Sequence, residues 1–113
     1  CVVGIGELGP QTQLQRSHSV TLEERSLLVR AGAVGEIAGR FLTASGALAD
    51  TDMNERAVGV SLDDLQGREV LAVAGGLYKA DAIRAVLASG VLSALIVDEA
   101  TAERVLRPST AAR

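Results

Sequence analysis

The chain has 113 residues, a formal net charge of −3 and 48% hydrophobic residues, drawn mostly from Ala, Val and Leu. That length fits one domain or part of a larger one, and the apolar share is ample for a packed core. The acidic balance excludes a global electrostatic pull toward nucleic acid, and a single cysteine, Cys1, excludes an internal disulfide.

Residues 1–5 form a short apolar run ending at Gly6, the pattern of a buried strand. The run starts as if mid-strand, so the chain is expected to begin inside a larger domain. Residues 7–19 are polar and hold Gly9 and Pro10, which predicts a loop. Thr21 with Glu24 three residues on makes a capping box. Leu22, Leu27, Leu28 and Ala31 give the helix after it an apolar stripe, and Gly32 closes it. Residues 34–42 are expected to form one strand, followed by a turn at Ala44-Ser45-Gly46. Residues 48–55 are acidic and expected to be exposed, and residues 57–60 to form a short strand.

Ser61 and Asp64 then open a helix of one or two turns, with Val60 and Leu65 as its hydrophobic staple and Gly67 as its stop. Residues 69–74 carry the clearest buried strand. Gly75-Gly76 follows, then a helix over 77–89 whose buried side is Ala80, Ile83, Val86 and Leu87. Gly90 stops it. Residues 94–97 are another buried strand, Asp98 caps the last helix, and residues 108–113 read as a frayed tail. Continuously apolar strands alternating with helices predict an α/β fold whose parallel sheet is covered on both faces.

The core must be aliphatic, because Phe41 and Tyr78 are the only aromatic residues. No apolar run is long enough to span a membrane and nothing resembles a signal peptide, so a cytoplasmic setting is expected.

The strongest candidate site is Gly75-Gly76 before Lys79, the only lysine among 11 basic residues. A tight strand-to-helix turn presents backbone N–H groups at a helix N-terminus, and the helix dipole favours an anion there. A lysine in the first turn fits a bound anion; otherwise the glycines are a plain tight turn and Lys79 is solvated. The Gly spacing and Ala80 after the lysine exclude a Walker loop.

Gly4-Ile5-Gly6-Glu7-Leu8-Gly9 matches Gly-x-Gly-x-x-Gly formally, but Pro10 follows where a packed helix is required. Gly4 and Gly6 are better read as backbone that a ligand can approach. Glu36 lies in an apolar stretch, where it either receives sugar hydroxyls, pairs with Arg40 or faces solvent. Arg16 and His18 in the polar loop are candidates for clamping a phosphate. Asp98-Glu99 reads as a helix cap. No metal-ligand set, catalytic triad or cofactor motif is evident, so the chain is expected not to be an enzyme.

Several phrases occur in order: residues 3–6, 32–41, 58–65, 72–83 and 95–102. Together they resemble the sugar-binding effector domain of SorC-type bacterial transcriptional regulators, along nearly all of residues 2–106. The resemblance implies a three-layer α/β/α sandwich of mostly parallel strands, similar to sugar-phosphate isomerases of the NagB/RpiA type. It implies that residues 1–107 are the C-terminal portion of an effector domain, hence an incomplete domain. It also implies an N-terminal helix-turn-helix outside this chain, homo-oligomerisation and a phosphorylated sugar effector, with DNA bound only through that helix-turn-helix. By position, Glu36 matches the family's sugar-contacting acid and Lys79 the lysine that reaches the phosphate. Arg16 falls near the family's phosphate-binding arginine. Thr43 stands where many members have Asp, and Val97 where many have Thr, which bears on ligand identity. The alternatives are an isomerase-like enzyme fragment with Glu36 as base, or a gene remnant that binds nothing.

Overall fold

A computed structural model describes residues 1–9 and 20–107. The elements in chain order are β1 (Val2–Gly6), α1 (Leu22–Arg30), β2 (Ala33–Ile37), β3 (Arg40–Thr43), α2 (Asp52–Arg56) and α3 (Leu62–Leu65). After these come β4 (Leu71–Ala74), a 3-10 turn (Leu77–Lys79) running into α4 (Ala80–Ser89), β5 (Ala94–Val97) and α5 (Glu99–Leu106). The tail beyond residue 107 lies outside the described residues.

The five strands form one sheet in the order β3-β2-β1-β4-β5. β1, β4 and β5 are parallel neighbours, whereas β2 is antiparallel to β1 and β3. Four of the five strands therefore run the same way, and the fold is a mostly parallel α/β sandwich. Ile5, Ile37, Leu42, Val70 and Ala72 meet Ala82, Ile83 and Val86 of α4 in one core, which Leu65 of α3 joins. Ile83 and Val86 are fully buried. Each such side chain contributes about 1.5–3 kcal/mol relative to exposure. A second core on the other face joins Leu28 of α1 to Phe41, Ala33 and Ala49.

Local signals explain most elements. The Thr21 and Ser61 capping boxes both form, and Asp98 caps α5 by accepting from Thr101 N–H. Gly90, in the left-handed region, ends α4. Several expectations need correction. The single strand over 34–42 is a hairpin, because Ala38 and Gly39 both take positive φ (51° and 82°) and turn the chain between the paired Ile37 and Arg40. Positive φ at both central residues suits the right-handed twist of the flanking strands. Residues 57–60 form no strand; Val58 is fully exposed, and the Arg40 guanidinium donates to the carbonyls of Asn54, Gly59 and Val60. On α1, Leu28 alone is buried, while Leu22 and Leu27 face solvent. Leu87 of α4 is likewise exposed.

The stretch expected to be acidic and exposed holds α2 and a buried Asn54. Its amide accepts from Phe41 N–H at 2.7 Å and donates to the carbonyls of Phe41 at 3.0 Å and Ala49 at 2.9 Å. Asn54→Ala strips the buried Phe41 N–H and Ala49 carbonyl of these partners. The expected loss is about 2–3 kcal/mol of unfolding free energy, read from the urea midpoint.

The two faces of the sheet are covered unequally. One carries α3, α4 and α5. The other is covered by α1 and α2 only at the β2–β3 end. Across β1, β4 and β5, Val2, Val73 and Ile96 on that second face are 70%, 47% and 58% exposed among the described residues.

Candidate functional site

The carboxyl ends of β1 and β4 meet the start of α4. Glu36 of β2 stands opposite Gly6 of β1 in the register. A Cβ on Gly6 would lie 2.5 Å from Glu36 Oε2, so the missing side chain is what lets the carboxylate lie over β1. Glu36 Oε1 accepts from the Gly39 N–H of the hairpin turn at 2.7 Å. Arg40 is engaged elsewhere, so the pairing with Arg40 weighed from the sequence does not form. Lys79 reaches over from the other side of the sheet end, and its ammonium donates to the Ile5 carbonyl at 2.9 Å. A Cβ on Gly4 would meet nothing within 4 Å, so the strand floor beside Glu36 is open.

Burial raises the Glu36 pKa above its ordinary value, while the Gly39 N–H and the Lys79 charge pull it back. The folded state therefore holds the Glu36 proton more tightly than the unfolded chain. The associated stability is full below pH 4.5, the unfolded value, and is lost as pH rises through the folded value. Glu36→Gln removes this component. In thermal melts from pH 4 upward, the wild type is expected to lose stability relative to Glu36→Gln across that window; parallel profiles would contradict the burial of this carboxyl.

Gly75-Gly76 is the strand-to-helix turn expected from the sequence. Gly76 has φ 109° and supplies no side-chain cap to the 3-10 turn that follows. Its N–H is not free: it donates to Thr101 Oγ1 at 3.0 Å and lies 3.4 Å from Asp98 Oδ1. Among the described residues nothing accepts the N–H groups of Leu77 and Tyr78, the first two of the 3-10 turn. Asp98 is exposed, and hydrogen bonding from Thr101 holds its carboxyl below the ordinary range, with a smaller contribution from Gly76 N–H.

The structure thus brings together Gly4, Gly6, Glu36 and Lys79, with Gly75 and Gly76 on the same edge. Arg16 and His18 lie outside the described residues. Sequence reasoning missed Thr101 entirely and read Asp98 only as a cap. The Asp98-to-Thr101 spacing announces the cap, but nothing local announces contact with Gly76. Among the described residues no group of three or more His, Cys, Asp or Glu side chains clusters to hold a metal ion. The residues that directly follow the formal dinucleotide fingerprint, 10–19, lie outside the described residues.

The family model described as "Putative sugar-binding domain" matches residues 1–107. The chain belongs to the sugar-binding domain family of SorC-type bacterial transcriptional regulators. Among its relatives is the erythritol catabolism regulatory protein EryD of Brucella abortus. It is 41% identical over 105 residues, which cover 93% of this chain and 33% of EryD. The transcriptional regulator LsrR of an Enterobacter species is 38% identical over 109 residues, 93% of this chain and 34% of LsrR. Among solved structures, a DeoR family transcriptional regulator from Listeria monocytogenes superposes with a TM-score of 0.88 at 30% identity. The match covers 93% of this chain and 43% of that one. The full-length sorbitol operon regulator SorC from Klebsiella pneumoniae gives 0.80 at 28% identity, covering 94% of this chain and 35% of SorC. The chain spans about a third of the length of these curated relatives. The family places this fold in sugar-binding domains, and the α/β sandwich expected from the resemblance is present. No helix among the described residues is long and apolar enough to cross a membrane.

Proposed function

We propose that this chain is the effector-sensing part of a cytoplasmic, sugar-responsive transcriptional regulator and that it holds a phosphorylated sugar at the carboxyl ends of β1 and β4. The observation that carries the reading is the convergence of Glu36 and Lys79, from different halves of the chain, beside the open floor at Gly4 and Gly6. In this reading Lys79 and the N–H groups of Leu77 and Tyr78 receive the phosphate, at the edge formed by Gly75 and Gly76. Glu36 accepts hydrogen bonds from the sugar hydroxyls. Arg16 and His18, the two further candidates from the sequence, are proposed as additional partners of the phosphate.

Sensing is favoured over turnover because the matched relatives are regulators by name. Glu36 then reads hydroxyls rather than abstracting a proton, and no catalytic role falls to any residue. Binding shifts the population between two assemblies of a homo-oligomer, and a DNA-binding region outside this chain reports the shift. The exposed apolar side chains of Val2, Val73 and Ile96 on one face of β1, β4 and β5 support an assembled state, since apolar patches of this kind mark contact surfaces.

Thermal unfolding against pentose and hexose phosphates, their parent sugars and inorganic phosphate tests the reading. A ligand bound only by the native state stabilises by about 2.7 kcal/mol at a hundredfold excess over Kd. For a chain of this size that raises Tm by roughly 10 °C. A shift with a sugar phosphate larger than with its parent sugar supports the proposal; no shift with any sugar or sugar phosphate overturns it.

A further inference from the structure

We infer that Asp98 and Thr101 of α5 set the charge selectivity of the ligand turn. The inference rests on the sensor reading and adds residues that lie outside the Glu36–Lys79 pair. Thr101 is 0% exposed, one of two buried polar side chains among the described residues. Its hydroxyl accepts Gly76 N–H, and its own N–H donates to Asp98 Oδ2 at 3.1 Å, while Asp98 Oδ1 turns toward Gly76 N–H. Three groups on two elements thus lock into one small network. A Cβ on Gly75 would meet Asp98 Oδ1 at 3.3 Å, so the carboxylate lies directly against the turn.

Two consequences follow for a bound anion. First, the Gly76 N–H is used internally, so the anion is received only by the outer donors at Leu77 and Tyr78 and by Lys79. Second, Asp98 places a full negative charge directly against the same turn. Its repulsion acts on a phosphate and not on a neutral sugar. Asp98 therefore lowers affinity for phosphate while leaving affinity for the uncharged part of the ligand almost unchanged. Thr101 acts through Gly76: it holds the turn at the backbone angle that aims the outer N–H groups. It is a positioning residue.

The other end of α5 is held as well. Arg84 of α4 donates to the carbonyls of Arg104, Val105 and Arg107 and pairs with Asp81. α5 is thus held to α4 at its C-terminal end and to the Gly75-Gly76 turn at its start.

The test is a comparison of Asp98→Asn, Asp98→Ser and Thr101→Val with the wild type in the full chain. Affinities are measured by titration for inorganic phosphate, for a panel of sugar monophosphates and for each parent sugar. Asparagine and serine both cap helices, so either variant keeps an acceptor for Thr101 N–H while removing the charge. The quantity read is the ratio of phosphorylated to parent-sugar affinity, which a loss of helix capping would not move. The ratio is expected to rise about three- to tenfold in both Asp98 variants. Thr101→Val is expected to lower affinity for inorganic phosphate. An unchanged ratio in Asp98→Asn and Asp98→Ser, with binding retained, overturns the inference and leaves the sensor reading standing. A wild type that binds none of the probes overturns the sensor reading itself, a separate result.

Discussion

Lys79→Ala is expected to abolish most of the stabilisation that a sugar phosphate confers. A hydrogen bond to a charged group is worth about 1.5–3 kcal/mol, which corresponds to a ten- to hundredfold loss in affinity. The lysine is the only one in the chain, so no neighbouring lysine can substitute. The fold should survive the change. In the unliganded chain Lys79 is half-buried and its ammonium donates to one carbonyl, that of Ile5. Loss of that bond costs about 1 kcal/mol, or several degrees of Tm. The signature is therefore a cooperative melt a few degrees below wild type, with the ligand-dependent shift gone. A variant that still responds to the sugar phosphate as the wild type does would remove Lys79 from the proposed site.

Gly35→Val is expected to produce the opposite pattern, a large loss of stability at a residue that touches no ligand. Gly35 lies in β2 where α4 crosses it. A Cβ there would stand 2.9 Å from Ala82 Cα and 3.1 Å from Ala82 O, backbone atoms that cannot turn aside. Ala82 itself is buried, so α4 must lift away from the sheet. Overpacking of this kind costs about 3 kcal/mol or more. Because α4 carries Lys79 at its start, the lifted helix also withdraws the ammonium from Ile5 and Glu36. Urea unfolding should show the drop in midpoint directly. Ligand response should fall with it, in contrast to Lys79→Ala, where stability and binding separate. Wild-type stability for Gly35→Val would mean that α4 does not pack on β2 this closely.

These two residues also divide what was legible in the sequence from what was not. The sequence by itself determined the local devices. The Thr21-to-Glu24 and Ser61-to-Asp64 boxes, the stop at Gly90 and the strand over residues 94–97 follow from signals spanning at most a few residues. The turn at Gly75-Gly76 was legible for the same reason, and Lys79 and Glu36 stood out as unusual residue types set in helical or apolar surroundings. The hairpin was missed because residues 33–43 are mostly apolar, with Glu36, Arg40 and Thr43 the exceptions, and only a turn at Ala38 and Gly39 divides them. Alanine gives no local sign that it will adopt a positive φ.

Tertiary structure alone decided which distant side chains meet. Lys79 reaches a carbonyl 74 residues away, and Gly76 meets Thr101 across 25. Asn54 is buried because α2 folds onto β3, which its acidic neighbours conceal. The open face of β1, β4 and β5 was hidden for a further reason. An apolar strand has the same composition whether its second face meets a helix of the same chain or water, so covering is fixed by the placement of other elements and not by the strand. Spacing along a chain encodes turns and caps; which side chains share a volume depends on how the layers pack.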